Sequence, residues 1–162
     1  MLQGEYVTLR PAVDEDVSAL AAIRSSAEVV RWWGTGDAVE DLADPGSKKY
    51  VIVLDEQIVG LIQWHAEEEP DFRHAGIDLY LDPAVHGRGL GTDAVRAMAR
   101  YLIIEHGFHR LTIDPAAANA AAIRAYTKVG FRPVGIMRQY WRDPDGVWQD
   151  GMLLDLLAAE LT

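Results

Sequence analysis

The sequence predicts a single α/β or α+β domain over residues 1–162, with a mixed, mostly antiparallel sheet of about six or seven strands and four helices. Length and composition support one domain, since 162 residues with 49% hydrophobic and 25% charged side chains are typical of a globular unit. The order of the elements comes from periodicity. Stretches with the two-residue period of strands alternate with helical stretches as β-α-α-β-β-β-α-β-α-β-β.

The first half of the chain predicts a strand, two helices and a hairpin. Residues 6–11 (YVTLRP) alternate like a strand and end at a proline. A helix then begins at Asp14, a suitable N-cap, and its apolar residues recur at helical spacing at Val17, Leu20, Ala21 and Ile23. A second short helix lies in TGDAVEDLADPG. The β-branched runs in KKYVIVLDEQIVGLIQWH predict two strands joined by a tight turn at residues 55–57.

The second half predicts strands that alternate with two longer helices. The strand AGIDLYL leads into a glycine-rich segment, and the helix GTDAVRAMARYLIIEHG follows and stops at Gly107. After the short strand HRLTID, a helix begins at Asn119 and ends at Gly130. The segments RPVGIMRQYW and VWQDGMLLDLLAAEL form a closing hairpin about a turn at residues 143–146.

Charge and cysteine content exclude several functional classes. The net charge of −10, with no basic stripe, argues against nucleic acid as a partner and favours a cationic small molecule. The absence of cysteine excludes disulfides, thiolate metal sites and a cysteine nucleophile. Histidine spacing indicates no metal site. No apolar run could span a membrane and no signal peptide follows Met1, so we expect a cytoplasmic monomer or homodimer without a membrane partner.

Residues 82–92 (DPAVHGRGLGT) place Gly87, Gly89 and Gly91 between a strand and a helix. Glycines allow positive φ there, so several amides can turn toward one point at the positive end of the helix dipole. A phosphate or pyrophosphate is the natural ligand of such a loop. The segment lacks the Gly-Lys-Ser/Thr ending of a P-loop, and its position in the middle of the chain does not suit a Rossmann fingerprint. A glycine turn without a ligand remains the alternative.

The segment HGRGLG resembles the acetyl-coenzyme A signature of the GCN5-related N-acetyltransferases (GNAT), in which glutamine or arginine is followed by x-x-G-x-G/A. Residues 113–131 (IDPAAANAAAIRAYTKVGF) resemble the second signature of that family, an Asn and a Tyr on a helix that ends in G-F. The two signatures have the expected order and separation, and the resemblance covers nearly the whole chain. It implies the GNAT fold and an N-acetyltransferase that uses acetyl-CoA as cosubstrate. His86 departs from the family pattern, because it replaces the usual glutamine or arginine.

The resemblance also implies a set of cofactor-binding residues. The amides of the glycine segment hold the pyrophosphate of coenzyme A, and amides of the preceding strand contact the thioester arm, which together gives Leu79, Leu81, His86, Gly87, Arg88, Gly89, Leu90, Gly91 and Thr92. Asn119 bonds the pantetheine arm and Tyr126 protonates the departing thiolate. Considered only as structure, Asn119 is an N-cap and Tyr126 is a core aromatic residue.

Acetyl transfer to an amine requires a group that removes a proton, and three aspartates are candidates on the acceptor side. Asp78 interrupts an otherwise apolar strand, where an isolated carboxylate is unfavourable without a purpose, although it could point to water at a strand edge. Asp114 follows the next strand at the end where open sheets bind ligands, or it caps the turn at Pro115. Asp150 on the last hairpin is the third candidate.

Adjacent Trp32 and Trp33 cannot both face one core from a helix, so they line a cleft or pack the helix end. The segments WWG, EEE before GID, GLGT and DP…N…AIR.Y.K.GF together are similar to the aminoglycoside 6′-N-acetyltransferases. This resemblance implies that Asp78 lies at the acceptor amine, that Asp114 contacts the drug and that a Trp lines the site. The alternatives are acetyl transfer to a polyamine, to a siderophore lysine-type arm or to a protein N-terminus, and a non-catalytic acyl-CoA sensor.

Overall fold

The computed structural model describes residues 1–162. Its α-helices are α1 Val17–Arg24, α2 Ala27–Trp33, α3 Ala38–Ala43, α4 Leu90–Ile104 and α5 Ala120–Thr127. Its strands are β1 Leu2–Gln3, β2 Thr8–Pro11, β3 Lys48–Leu54, β4 Gln57–Glu67, β5 His74–Leu81, β6 Arg110–Ile113, β7 Arg132–Arg142 and β8 Trp148–Leu157. Short 3₁₀ helices cover Asp14–Asp16, Pro83–Val85 and Ala158–Glu160.

The strands form one sheet of 8 strands in the order β1-β2-β3-β4-β5-β6-β8-β7. Every neighbouring pair is antiparallel except β5 and β6, which are parallel. This confirms the predicted mixed, mostly antiparallel sheet. The strand count is higher than predicted because Leu2 and Gln3 pair with Leu9 and Thr8, a pairing too short to show a period in the sequence.

The helix count also exceeds the prediction, because the first predicted helix is two helices. Ser26 lies between them with φ −63° and ψ 144°, which is extended backbone. The hydroxyls of Ser25 and Ser26 donate to the carbonyls of Ala22 and Ile23, so they compete with the backbone for helical hydrogen bonds. The predicted N-cap at Asp14 was also wrong: this residue begins a 3₁₀ turn, and α1 starts three residues later.

The core lies on both faces of the sheet. Ile52 and Ile62 point toward α4 and belong to the larger apolar cluster, whereas their neighbours Val51 and Leu61 point to the opposite face, against α1 to α3. This division follows from the alternation of side chains along a strand. The result is three layers, with the sheet buried between two sets of helices.

The two central strands separate after a short contact. Strands β5 and β6 pair only at Ala75 with Leu111 and at Gly76 with Thr112, although β5 continues to Leu81. The chain then turns through the Pro83–Val85 helix and enters α4. The second half of β5 is therefore an internal strand with one unpaired edge, and that edge opens a cleft in the middle of the sheet.

Candidate active site

A cleft of about 750 Å³ lies beside the unpaired half of β5. The glycine segment and the start of α4 border one end, α5 forms one wall, and α2 and β7 border the other end. Of the residues predicted from the sequence, the cleft brings together Trp32, Trp33, Asp78, Leu79, Leu81, His86, Gly87, Gly89, Leu90, Gly91, Thr92, Asp114, Asn119 and Tyr126. Residues that are far apart in the sequence thus line one cleft.

The unpaired edge of β5 presents main-chain groups to the cleft. The amide of Asp82 donates to the carbonyl of Val59 on β4. Main-chain groups alternate in direction along an antiparallel strand, so the N–H and C=O groups of Leu79 and Leu81 point away from β4 and toward the cleft. Their carbonyls accept hydrogen bonds from side chains, and their amides have no acceptor in the protein. The edge therefore offers two free N–H groups to an extended ligand.

His86 has a specific contact that accounts for its position. Its Nε2 lies 3.1 Å from the carbonyl oxygen of Leu81, so this nitrogen carries the proton and donates it. This hydrogen bond connects the glycine segment to the end of β5 and satisfies the carbonyl of Leu81, one of the two carbonyls on the unpaired edge. In this chain, His86 thus supports the loop through a main-chain contact.

The glycine segment has the backbone geometry of an anion site. Gly87 and Gly89 both have φ of 77°, and a side chain at either position would be strained there. None of the amides of residues 87–92 donates to an acceptor in the protein. They stand at the start of α4, where the helix dipole adds partial positive charge. Free amides and positive potential at one point favour a phosphate group.

The next two side chains hold the start of α4 in place. The hydroxyl of Thr92 donates to the carbonyl of Ala125 on α5 at 3.0 Å, so only its amide is free for a ligand. The buried carboxylate of Asp93 accepts amide protons from Glu5, Tyr6 and Val7 at 2.7–2.9 Å. Asp93 was missed in the sequence because its partners lie 86 or more positions away.

Asn119 and Tyr126 lie on α5 as predicted. The side-chain oxygen of Asn119 accepts from the amide of Ala122 at 3.2 Å, which makes it the helix N-cap and leaves its NH₂ group for the cleft. Tyr126 is buried, with 8% of its surface exposed. Burial, with the nearby carboxylates of Asp78 and Asp114, raises the pKa of Tyr126 above its usual value, so the phenol stays protonated at neutral pH.

Asp78 and Asp114 form a carboxyl pair in the cleft. They are within hydrogen-bonding reach of each other, one on β5 and one directly after β6. The pKa of Asp78 is raised to about 7, mainly by burial and secondly by the charge of Asp114. A carboxyl group with a pKa near neutral pH can both accept and release a proton under ordinary conditions.

Gln63 and Tyr140 complete the surroundings of the pair, and sequence analysis missed both. Gln63 is opposite Asp78 in the register of β4 and β5, and its oxygen accepts from the hydroxyl of Ser47 at 3.2 Å. Its NH₂ group is therefore free to donate to Asp78. The hydroxyl of Tyr140 donates to Asp114 Oδ2, and this bond raises the pKa of Tyr140 to about 12.

The two tryptophans differ in their contacts. Trp33 Nε1 donates to the carbonyl of Leu79 at 3.0 Å, and its ring meets that of Tyr80 edge to face at 4.9 Å. Trp32 Nε1 donates to Glu28, and the guanidinium of Arg31 stacks on the Trp32 ring at 4.4 Å. Trp33 is thus part of the cleft wall, whereas Trp32 stands at the mouth and also lines a second pocket.

Two predicted site residues do not line the main cleft. Arg88 is an exposed residue of the glycine segment. Its amide is one of the amides of residues 87–92 that have no acceptor in the protein, but its side chain does not line the cleft. Asp150 lies in the neighbouring pocket between α2 and the closing hairpin, and its carboxylate accepts from the amide of Gln139 at 2.9 Å. No group of three or more His, Asp and Glu side chains could hold a metal ion, and none of the helices is long and apolar enough to cross a membrane.

Comparisons with known proteins give the relationship of this chain. A model of the Acetyltransferase (GNAT) domain matches residues 7–132. The chain is 30% identical over 167 residues to the aminoglycoside N(6′)-acetyltransferase type 1 of Klebsiella pneumoniae, which covers 88% of this chain and 80% of that protein. It is 25% identical over 152 residues to the spermidine N(1)-acetyltransferase of Escherichia coli (strain K12), with 87% and 81% covered. The structure of AAC(6′)-Ib in complex with ribostamycin and coenzyme A matches with a TM-score of 0.79 at 27% identity over 96% of both chains.

The fold, the free amides and the carboxyl pair define an acyltransferase that takes its acyl group from a coenzyme A thioester. The chain belongs to the GNAT acetyltransferase family and is an N-acetyltransferase. Its acetyl donor is acetyl-CoA, and the row of free amides over residues 87–92 fits the pyrophosphate of that molecule. The predicted family and donor are thereby confirmed.

Proposed function

We propose that this N-acetyltransferase acetylates the 6′-amine of an aminoglycoside by direct attack of the amine on the thioester. The observation that carries this proposal is the carboxyl pair of Asp78 and Asp114 beside Trp32 in one cleft. Two carboxyl groups attract a polycationic amine, and an indole face covers the apolar face of a sugar ring. The similarity to the aminoglycoside enzyme of Klebsiella pneumoniae supports the same acceptor.

In this proposal, acetyl-CoA lies along the free edge of β5. The amides of residues 87–92 bind the pyrophosphate, and the amides of Leu79 and Leu81 bind the pantetheine arm and the thioester carbonyl. An N–H group aimed at that carbonyl stabilises the negative charge that develops on its oxygen during attack. The NH₂ group of Asn119 adds a contact to the arm from α5. Arg124 and Lys128 border the same wall and attract the remaining phosphate charge.

The chemical step then needs a base and an acid. The neutral amine attacks the carbonyl carbon and a carbon–nitrogen bond forms, while Asp78 takes the proton that leaves the nitrogen. The carbon–sulfur bond breaks, and Tyr126 gives its phenolic proton to the departing thiolate. The products are the N-acetyl amine and the free thiol of coenzyme A. The raised pKa of Asp78, about 7, matches its role, because a base works best when its pKa is near the working pH.

A polyamine is the second candidate acceptor. The similarity to the spermidine N(1)-acetyltransferase favours it, and the net charge of −10 suits any polycation. The two acceptors differ in shape. A sugar ring gains from the indole of Trp32 at the mouth of the cleft, whereas a flexible polyamine gains mainly from the charge of the carboxyl pair.

The test is an acceptor panel monitored by thiol release from acetyl-CoA. Kanamycin, tobramycin and ribostamycin should release thiol with a much lower KM than spermidine, and peptides with a free N-terminus should give none. Trp32→Ala should raise KM for an aminoglycoside about tenfold or more and leave a polyamine nearly unaffected. Faster turnover of spermidine than of the aminoglycosides would show that a polyamine, and not an aminoglycoside, is the acceptor. If acetyl-CoA binds but no amine in the panel releases thiol, the protein is an acyl-CoA sensor.

A further inference from the structure

Tyr140 reaches the cleft because β7 is irregular. The register of β7 and β8 pairs Met137 with Gly151 and next pairs Trp141 with Gln149, so β7 contains extra residues at this point. Gln139 within this bulge has φ of 49°, which is unusual for a residue with a side chain. A bulge turns the side chain that follows it. Here it turns Tyr140 from the sheet edge toward Asp114.

Two neighbouring residues of β8 hold the bulge in this shape. The carboxylate of Asp150 accepts from the amide of Gln139 at 2.9 Å and so stabilises the left-handed residue. The ring of Tyr140 lies against Gly151, where an added Cβ would approach its Cδ2 to 2.7 Å. Glycine at this position therefore leaves the space that the tyrosine ring needs.

The same part of β8 also fixes the partner of Tyr140. The carbonyl of Asp150 accepts from the amide of Ala117, and the amide of Met152 donates to the carbonyl of Pro115, both at 2.9 Å. These bonds tie the loop after Asp114 to the strand beside the bulge. Donor and acceptor of the Tyr140–Asp114 hydrogen bond are thus attached to one rigid segment.

We propose that Tyr140 is a positioning residue for this reaction: the bulge aims its hydroxyl at Asp114, and this bond holds that carboxylate in place beside Asp78. The proposal rests on the proposed role of Asp78 as the base. It also gives Asp150 a different role from substrate binding, because its carboxylate acts on the backbone of the bulge.

The ionisation of the pair explains why this bond matters. When both carboxyl groups are ionised, two negative charges share one cleft, and the Tyr140 hydroxyl offsets part of that charge. When the two carboxyl groups hold one proton between them, the negative charge can reside on either group, and the proton makes a hydrogen bond from one group to the other. Removal of the hydroxyl therefore destabilises the doubly ionised pair more, and the pair then loses its last proton at a higher pH.

No other ionisable group takes the place of Tyr140. Gln63 faces Asp78 from β4 and is neutral. The remaining ionisable groups bordering the cleft are unchanged by substitution of Tyr140: Glu28 on α2, Tyr80 on β5, His86 in the glycine segment, Arg124 and Tyr126 on α5, Lys128 at its end, and Arg142 at the end of β7. A change in the titration of the pair after loss of the Tyr140 hydroxyl thus reports on the bond itself.

The first test compares wild-type protein with Tyr140→Phe. Carbon NMR of the aspartate carboxyl groups follows the pair in the resting enzyme, and its last deprotonation should move up by about one pH unit, the size of one hydrogen bond to a carboxylate. The acid limb of kcat/KM should move by the same amount. Tyr6→Phe, which removes the hydroxyl of an exposed tyrosine on another surface, should change neither. An unchanged titration in Tyr140→Phe would overturn the proposal. Because the NMR titration needs no acceptor, it tests the pair even if the proposed substrate is wrong.

The second test separates positioning from substrate binding. Asp150→Ala should move the titration in the same direction as Tyr140→Phe, because the bulge loses its support. Adding Gln139→Gly should restore most of the wild-type titration, since glycine adopts positive φ without strain. If Asp150 instead binds the acceptor directly, Asp150→Ala raises KM, leaves the pair's titration unchanged and is not rescued by Gln139→Gly, and that result would also overturn the proposal.

Discussion

The two ends of the cleft are built from different parts of the chain. At the end where we propose that the donor binds, the main-chain amides of residues 87–92 and of β5 face the cleft, and the side chains of His86 and Thr92 make hydrogen bonds that support the backbone there. At the other end, where we propose that the acceptor binds, the side chains of Asp78, Asp114 and Tyr140 rather than main-chain groups line the cleft. The donor end should therefore tolerate side-chain changes that preserve backbone shape, and the acceptor end should not.

The largest effect is expected at the acceptor end, from Asp78→Asn. Loss of the base should lower kcat by about 10²- to 10⁴-fold, the usual contribution of general base catalysis. Acetyl-CoA binding, measured by calorimetry, should stay within a factor of about three, because in the proposed binding mode main-chain amides hold the donor. Asp71→Asn, at an exposed carboxylate in the β4–β5 loop, is the matched control and should be neutral. Full turnover by Asp78→Asn would remove Asp78 from the mechanism.

The pH dependence follows from the same carboxyl group. With the pKa of Asp78 raised to about 7, kcat/KM should fall about tenfold per pH unit below neutral pH as the base becomes protonated. The folded state holds this proton more tightly than the unfolded chain between the usual aspartate pKa and about 7. Stability should therefore decrease as pH rises through that window. At pH 8, the free energy of unfolding of Asp78→Asn should accordingly exceed that of wild type by roughly 1–2 kcal/mol, which raises its Tm. An equal or lower Tm would contradict the raised pKa.

A smaller loss is expected for Tyr126→Phe, which removes the proposed acid but leaves the ring in the core. We expect kcat to fall by about 10- to 100-fold with little change in either KM, because water can still protonate the thiolate slowly. An acyl donor whose thiol is a better leaving group should narrow the difference between variant and wild type. If the ratio of the two rates is the same for all acyl thioesters, Tyr126 has only a structural role.

At the donor end, Gly89→Ala should act through the backbone. Gly89 has φ of 77°, and alanine there costs about 1–2 kcal/mol or shifts the loop and its amides. The KM for acetyl-CoA should rise about tenfold while the KM for the amine changes little. Gly135→Ala on β7, which has open space around it and no positive φ, is the matched control. Equal effects of the two substitutions would mean that loop shape is not what binds the donor.

The smallest effect is expected at His86. His86→Ala removes the bond to the carbonyl of Leu81, and we expect the KM for acetyl-CoA to rise about threefold. His86→Gln keeps a donor on the side chain and should behave like wild type. Two variants with the same defect would show that the imidazole contributes something other than this hydrogen bond.

The fold and the backbone shape of the glycine segment could be predicted because their signals are local. Glycine is favoured where φ is positive, and Gly87 and Gly89 lie where the sequence places a strand before a helix. The break between α1 and α2 was not predicted, because the paired serines decide it through hydrogen bonds that compete with the helix. The short β1 was missed for a related reason, since two residues show no period.

The acceptor end could be predicted only in part. Asp78 and Asp114 are recognisable as unusual carboxylates at strand positions, but nothing in the sequence indicates that they meet in one cleft and that the pKa of Asp78 is raised there. The role of Tyr140 is not indicated by the sequence, because the pattern of a regular strand does not reveal the bulge that directs its side chain toward Asp114. Asp150 was chosen from the right hairpin, although its carboxylate faces the backbone of Gln139.

By itself, the sequence determined the class of this protein, the order of most of its elements and the backbone shape of the glycine segment, because period, glycine positions and helix caps act over a few neighbouring residues. Only the tertiary structure decided the state of the acceptor end. The pKa of Asp78 depends on burial and on a carboxylate 36 positions away in the chain, and the hydroxyl on Asp114 comes from a third strand. Electrostatic interactions depend on distance in space, which the order of residues does not contain.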